Sequence, residues 1–444
     1  MHSPLFSSFK SGSLLERVEQ KLSRFLPHST LCVGLSGGLD SVVLLHLLAT
    51  LRHSQLFVLR ALHVHHGLSP NADAWAQFAM DCAANLGVKC AVERVSLAPF
   101  LKQGTEGAAR TARYAAFARQ DCDVILLAQH CDDQAETVLL NLLRGSGLRG
   151  LAAMPEYRSL NQKMGILRPL LGVARAELAA YAAEQGLIWV EDESNHNPRY
   201  DRNFLRNDVF PRLNAVWPSA NNTLARVARH VAEADELLLE VACSDFAVCV
   251  QDNVFDLSVD FSPLRLRNVL RYWLVQNGLQ LDARAFEELI RTAVSSAADA
   301  QPVLIWRKSA VRRYRQKLYI TLAEIELIEP VMLPWQPEIN LKSGCLSWRE
   351  AEVGIALEIL KGADFELRPR VGGECLRLFV GGARKALKQL YQDAGVPPWL
   401  RQNIPLVYLN GELAAVPGLG VDAAFCTSGQ VVVPYWRPSL GGID

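Results

Sequence analysis

Leu31-Cys-Val-Gly-Leu-Ser-Gly-Gly-Leu-Asp-Ser41 decides how this chain is read. Leu31 to Leu35 is an apolar run of buried-strand length, and Ser36, Gly37 and Gly38 break it. Asp40 or Ser41 is placed to cap a helix, which the spacing predicts over Val42 to Leu51. A strand that turns through glycines into a helix brings backbone N–H groups, two hydroxyls and the positive end of a helix dipole to one point. Such a point suits a pyrophosphate or a triphosphate tail. Gly37 and Gly38 lack Cβ atoms, so the backbone can approach phosphate oxygens closely. No Lys-Ser or Lys-Thr follows, so this is not a Walker A loop. The plainer alternative is a Gly-rich turn that binds nothing.

Outward from that loop, strand and helix alternate. Strands are predicted over Leu56 to Val64, Cys90 to Leu97 and Val124 to Ala128. Helices are predicted over Ala72 to Leu86, Gly107 to Arg119 and Asp133 to Arg144. Short links between them predict an α/β fold with a parallel sheet covered on both faces. Ligands of such sheets sit at the carboxyl ends of the strands. Pro211 and Pro218 bracket an expected boundary. Beyond it lie helices over Thr223 to Val241, Pro263 to Gln276 and Ala283 to Val294, then strands over Val303 to Ile320. Pro330, Pro334 and Pro337 mark a second linker. The expected domains are 1–215, a nucleotide-binding parallel-sheet domain; 216–330, mainly helical; and 338–444, small α+β.

The chain has 444 residues, of which 50% are hydrophobic, enough for several real cores. Lys+Arg and Asp+Glu both number 46, so any nucleic-acid surface must be local. Ten cysteines include no Cys-x-x-Cys, which argues against zinc, iron–sulfur and secreted disulfide classes. The charged residues from Glu16 to Arg24 read as a short amphipathic helix, not a signal peptide. No apolar run reaches membrane-spanning length. A cytoplasmic protein with no membrane and no obligate protein partner is expected.

Asp132, Asp133 and Glu136 can share one face of a helix start. There they could hold Mg²⁺ against phosphates, or bind and deprotonate an ammonium group. A capping box between Asp133 and Glu136 is the alternative. His63, His65 and His66 end a strand. His63 and His65 share a face that His66 opposes, so packing against a nucleotide is favoured over zinc. Arg110 and Arg113, three apart, suit phosphate or ribose as well as solvent. Gly145-Ser-Gly-Leu-Arg-Gly150 has dinucleotide-fingerprint spacing but follows a helix, so it reads as a loop. Arg199, Arg202 and Arg206 crowd one segment. Trp306 to Tyr319 carries Arg307, Lys308, Arg312, Arg313, Arg315 and Lys317 with interleaved aromatics and no acid. Arg384, Lys385 and Lys388 form a further basic cluster.

Taken together, these motifs resemble a family. Ser36-Gly-Gly-Leu-Asp-Ser41 resembles the loop of the N-type ATP pyrophosphatases. With His63-Val-His-His-Gly-Leu68, His130-Cys-Asp-Asp-Gln-Ala-Glu136 and Arg144-Gly-Ser-Gly147 it stands in the order and spacing of the tRNA(Ile)-lysidine synthases. Asp192 to Arg206 looks like that family's next segment. Arg370-Val-Gly-Gly373, Pro397-Pro-Trp-Leu-Arg401 and Ala415-Val-Pro-Gly-Leu-Gly420 look like its closing domain. The resemblance covers nearly the whole chain and is vaguest over Val209 to Glu324. Gln129 departs from it, standing where the family usually has a His, which puts any role for a His pair there in doubt.

The resemblance implies ligation of free L-lysine to C2 of the wobble cytidine of a tRNA(Ile) with a CAU anticodon. ATP would first adenylate the base, and lysidine, AMP and pyrophosphate would result, changing decoding from AUG to AUA. It further implies ATP contacts from Ser36, Gly37, Gly38, Leu39, Asp40, Ser41, His63, Arg110 and Arg113. Catalytic roles fall to Asp40, Asp132, Asp133 and Glu136, with Mg²⁺ at Asp40 and Asp133. The implied tRNA contacts are Arg202, Arg206, Arg307, Arg312, Arg313, Arg315, Arg384, Lys385 and Lys388. The rival expectations are another adenylating enzyme of the same loop class, such as a tRNA thiolase or an amide-forming synthetase, and a catalytically silent tRNA-binding module.

Overall fold

The structure is a computed structural model that describes residues 12–193, 201–296, 300, 302–324 and 328–438. Arg199 lies outside the described residues. The chain divides into two compact units, 1–237 and 238–444.

The first unit is built on a six-stranded sheet. Its strands are β1 (Thr30–Gly34), β2 (Val58–His65), β3 (Lys89–Arg94), β4 (Val124–Leu126), β5 (Tyr157–Ser159) and β6 (Gly165–Leu167), in the order β3-β2-β1-β4-β6-β5. Every pairing is parallel except that of edge strand β5. The helices used below are α1 (Leu14–Leu22), α2 (Leu39–Leu51), α3 (Ala72–Asn85), α4 (Gly104–Ala118) and α5 (Cys131–Leu143). Alternation along β1 explains why both faces are covered. Leu31 and Val33 pack into a core with Val43, Leu44 and Leu47 of α2, whereas Cys32 packs on the other face with Phe117 of α4 and Ile125. Because α2 is apolar all round, it is buried all round.

Two local details differ from the sequence expectation. Helix α2 begins at Leu39 with Gly38 as its N-cap and no side-chain cap bond, so Asp40 and Ser41 lie in the first turn instead of capping it. Pro211 starts the helix Phe210–Val216, which continues from Asp201; it marks no break, because proline is tolerated in a first turn.

Two of the cores among the described residues of the second unit bear on its division. Helices Pro263–Gln276 and Ala283–Leu289 cover an antiparallel five-stranded sheet through Trp273, Phe286, Val311 and Leu318. This segment thus carries more strand than helical spacing suggested. The other core gathers Leu346, Phe365, Leu367, Val407 and Leu409 beside the paired long strands Gly344–Ala356 and Thr427–Pro438. We keep the three-domain division at 215/216 and 330/338 as a proposal, since each of these cores falls within one expected segment. No helix among the described residues is long and apolar enough to cross a membrane.

Candidate active site

The loop between β1 and α2 is held from within. Ser41 Oγ donates to the Gly38 carbonyl at 2.9 Å and accepts the Ser36 N–H at 3.2 Å. Ser36 Oγ accepts the Gly38 N–H at 3.3 Å. These bonds fold the loop tightly around a helix start whose first N–H groups have no carbonyl within the helix. Gly37 adopts φ +92°, so glycine is required by conformation, and a Cβ there would stand tightly against Val190 Cγ2 at 3.0 Å.

Opposite the loop stands the start of α5. His130 is its N-cap, and the His130 N–H donates to Asp133 Oδ2 at 3.1 Å. The capping box is therefore His130–Asp133, and the alternative reading of an Asp133–Glu136 box does not hold. The buried His130 ring holds Nε2 3.5 Å from both Asp40 Oδ2 and Asp133 Oδ2. Its Nδ1 faces both the Asp132 N–H, at 3.2 Å, and Asp132 Oδ2, at 3.4 Å. Burial opposes charge on this ring. The bonds to Asp132 and Asp40 and the field of Asp133 outweigh it and push His130 up to about 10. An imidazolium uses Nδ1 as a donor, so its partner there is the Asp132 carboxylate.

The acids differ from one another. Asp132 accepts the Arg175 N–H at 2.8 Å and the Asn221 amide. Burial alone would raise it, but these bonds and His130 hold it well below the usual carboxylate range. Glu136 is buried under a fork from Arg206, with Nε at 2.7 Å and Nη2 at 3.0 Å, yet burial raises its carboxyl. Arg206 Nη2 also reaches Asp133 Oδ1 at 3.1 Å. Two expectations change. Asp132 is a poor proton acceptor, because its anion is already stabilised by donors, and Glu136 is the better one. Arg206, expected on a tRNA surface, closes the acid cluster instead. Arg202 donates to Thr137 Oγ1 at 2.9 Å. Beside these groups is a cavity of about 340 Å³ lined by Asp132, Glu136, Arg175, Arg206, Phe210 and Asn221. A larger cavity, about 530 Å³, opens by Thr30, Asp121 and Lys163 at the amino ends of β1 and β4, away from this chemistry.

A hard divalent cation asks for one or two carboxylates and fills its shell with water and phosphate oxygens. Asp40 fits: its Oδ1 is buried with no hydrogen-bond partner among the described residues. Asp133 does not offer the same, because Oδ2 is on the His130 N–H and Oδ1 on Arg206. The expected Asp40–Asp133 pair is thus bridged by the protein's own imidazolium.

The three histidines turn to three partners. His63 Nδ1 is 2.9 Å from the Leu35 carbonyl, and burial lowers its pKa. His65 Nε2 is 3.1 Å from Asp73 Oδ1. Arg113 Nε faces His66 Nε2 at 3.5 Å; burial and that guanidinium bring His66 down to about 4. Arg110 is exposed, its guanidinium 5.2 Å from the Tyr114 ring centre.

Among the expected tRNA cations, Arg307 and Arg315 are exposed at turns with positive φ, and Arg384, Lys385 and Lys388 are exposed. Arg312 donates to Thr321 Oγ1 at 2.9 Å and lies 5.8 Å from the Trp399 ring centre. Arg313 is a correction. It is 3% exposed, and its Nη1 binds the carbonyls of Ala293, Val294 and Ser296 at 3.0, 3.1 and 2.9 Å. It secures a helix end and is not a phosphate contact. Sequence reasoning noted His130 but gave it no role, although its place just before Asp132 and Asp133 was an N-cap signal. It missed Asn221 and the Arg175 N–H altogether, since neither is near the acids in sequence.

The comparisons with known proteins fit this geometry. The family described as PP-loop domain matches residues 14–213, TilS substrate binding domain matches 259–319, and TilS substrate C-terminal domain matches 365–435. Three curated relatives named tRNA(Ile)-lysidine synthase are similar along nearly their whole lengths. That of Chromobacterium violaceum is 40% identical over 97% of this chain and 99% of its own. That of Alkalilimnicola ehrlichii is 40% identical over 92% and 94%, and that of Aromatoleum aromaticum 41% over 91% and 96%.

Proposed function

This chain belongs to the tRNA(Ile)-lysidine synthase family, and from that premise we propose that it joins free L-lysine to C2 of the wobble cytidine of a tRNA(Ile) with a CAU anticodon. ATP is the co-substrate, and lysidine, AMP and pyrophosphate are the products, formed in the cytoplasm. One observation carries the reading: the tightly held Ser36–Ser41 loop presents a helix start and the unpartnered Asp40 Oδ1 to the same side as the His130, Asp133 and Glu136 cluster.

The chemistry divides between these parts. The loop N–H groups and the Ser36 and Ser41 hydroxyls hold the β- and γ-phosphates. The cytidine C2 oxygen attacks the α-phosphorus, and the bond to the pyrophosphate oxygen breaks. A Mg²⁺ ion held at Asp40 would supply charge neutralisation for the leaving group. His130, buried between Asp40, Asp132 and Asp133, offsets part of their negative charge and holds Asp40 and Asp133 in place beside the phosphates. Lysine's ammonium, with a reference pKa of about 10.4, must lose a proton before it attacks C2. Glu136 is the acceptor favoured by its raised pKa, once Arg206 moves aside. The amine then bonds to C2, and the C2–O bond breaks to release AMP. The cavity at Asp132, Glu136 and Asn221 is the pocket we assign to lysine. A loop cytidine is single-stranded and enters such a site at low cost. The exposed cations of residues 238–444 hold the tRNA body.

Nucleoside mass analysis of an unmodified tRNA(Ile) incubated with enzyme, ATP and lysine tests this. Lysidine in place of cytidine is expected. ATP consumption with cytidine unchanged would overturn the reading.

A further inference from the structure

Away from the loop, three arginines gather on one phenol. Arg168 directly follows β6 and is 2% exposed. Its Nε donates to Gln129 Oε1 at 3.1 Å, its Nη1 to the Pro155 carbonyl at 2.7 Å and its Nη2 to Tyr114 Oη at 3.4 Å. Arg158 of β5 holds its guanidinium 4.5 Å from the Tyr114 ring centre, and Arg110 of α4 holds its own at 5.2 Å. Among the described residues none of the three makes an ion pair with a carboxylate.

A buried guanidinium with only neutral partners is an expensive arrangement. Two more arginines beside it increase the cost, because like charges repel. Burial pushes the Tyr114 phenol up, yet the three arginines overcome this and lower it. That is the mark of a concentrated positive field. Gln129 matters here: it gives Arg168 an oxygen without giving it a negative charge. Arg110 and Arg158 are exposed, so the field opens to solvent.

The position selects the kind of anion. Gln129 and Arg168 follow β4 and β6, so the cluster is at the carboxyl edge of the sheet, where ligands of this fold bind. β6 is two strands from β1, roughly 10 Å at ordinary sheet spacing. A triphosphate seated on the loop after β1 is already held at its own helix start. Guanidinium planes beside a phenol are the chemistry that receives single-stranded nucleic acid, whose phosphates they bind and whose bases they stack on.

We propose that Arg110, Arg158 and Arg168 form an anion subsite for a backbone phosphate of the RNA next to the nucleotide that reacts. This rests on the tRNA reading above. It also moves Arg110 from the ATP site, where the family resemblance put it, to the RNA.

The test is tRNA binding across a salt series for wild type, Arg158→Gln and Arg158→Lys, with ATP affinity measured separately without tRNA. Arg158 is exposed, so neither change threatens folding. Arg158→Gln should weaken tRNA binding about tenfold, the value of one charge-assisted contact. Its log–log salt slope should fall by roughly 0.7, one phosphate on a single strand, while Arg158→Lys keeps the wild-type slope. ATP affinity should be unchanged. Weaker ATP binding with tRNA binding intact would give the subsite to the nucleotide and overturn the proposal. Unchanged affinity and slope in Arg158→Gln would make the arginines plain surface and also overturn it, leaving the tRNA reading in place. If the wild type itself showed no salt-dependent tRNA binding, both would fall.

Discussion

Asp40 divides its two oxygens: Oδ2 faces the His130 ring at 3.5 Å, and Oδ1 is buried with no partner among the described residues. In the proposed reaction a group so placed serves the phosphates and not the tRNA body. Asp40→Asn and Ser36→Ala should therefore abolish lysidine formation and leave tRNA affinity nearly intact; a several-fold loss of tRNA binding in either variant would contradict this division. A second single-residue effect concerns pH. His66 is held near 4 by burial and Arg113, below its unfolded value of about 6.5. The fold therefore favours the neutral ring. The resulting stability is fully present above pH 6.5 and is lost as pH falls from there toward 4. In urea unfolding, the wild type should lose stability over that interval relative to His66→Gln; a pH-independent difference would mean that the ring titrates normally. At this scale the acids were legible and their states were not. Asp132, Asp133 and Glu136 announce themselves by helical spacing. Arg206 and Asn221, which decide how each acid is paired, reach them from 70 and 89 residues away and leave no local trace.

The hairpin of strands Ser309–Tyr314 and Lys317–Leu322 shows the same limit at the level of an element. Its basic run suggested a uniformly cationic face, but a strand alternates. Val311 is in the core, so Arg313, two residues on, turns inward with it. Arg313→Met should destabilise the protein by about 3 kcal/mol, because several carbonyls lose their donor at once. It should leave the salt slope of tRNA binding unchanged. Arg307→Glu with Arg315→Glu should do the opposite, weakening tRNA binding and lowering the slope by roughly 0.7 to 0.9 per lost phosphate contact. Urea unfolding and a salt titration separate the two outcomes. Reduced slope in Arg313→Met, or none in the double reversal, would reverse the assignment. The alternation needed to see this was in the sequence, at Val311 and Arg313; the count of charges concealed it.

For the whole molecule, the alternating strands and helices of the first unit were readable because each carries its own periodicity. The carboxyl-edge placement of the loop, His63 and Asp133 follows from that pattern alone. Strands β5 and β6 were not readable, since neither sits in an apolar run as long as the one from Val124 to Ala128 that marks the equally short β4. The long pair Gly344–Ala356 and Thr427–Pro438 joins segments far apart in the chain. In the proposed reaction the assembled site directs AMP to one of two acceptors. Activation of lysine's carboxylate would place an anion among Asp132, Asp133 and Glu136, which repel it. Activation of the cytidine C2 oxygen instead leaves that acidic pocket for lysine's ammonium, and requires the base to be seated before ATP reacts. The most direct measurement is exchange of labelled pyrophosphate into ATP. Exchange with tRNA present and lysine absent is the expected result, given that the adenylated base stays bound. Exchange with lysine alone and no tRNA would contradict base activation, even if the final product were lysidine.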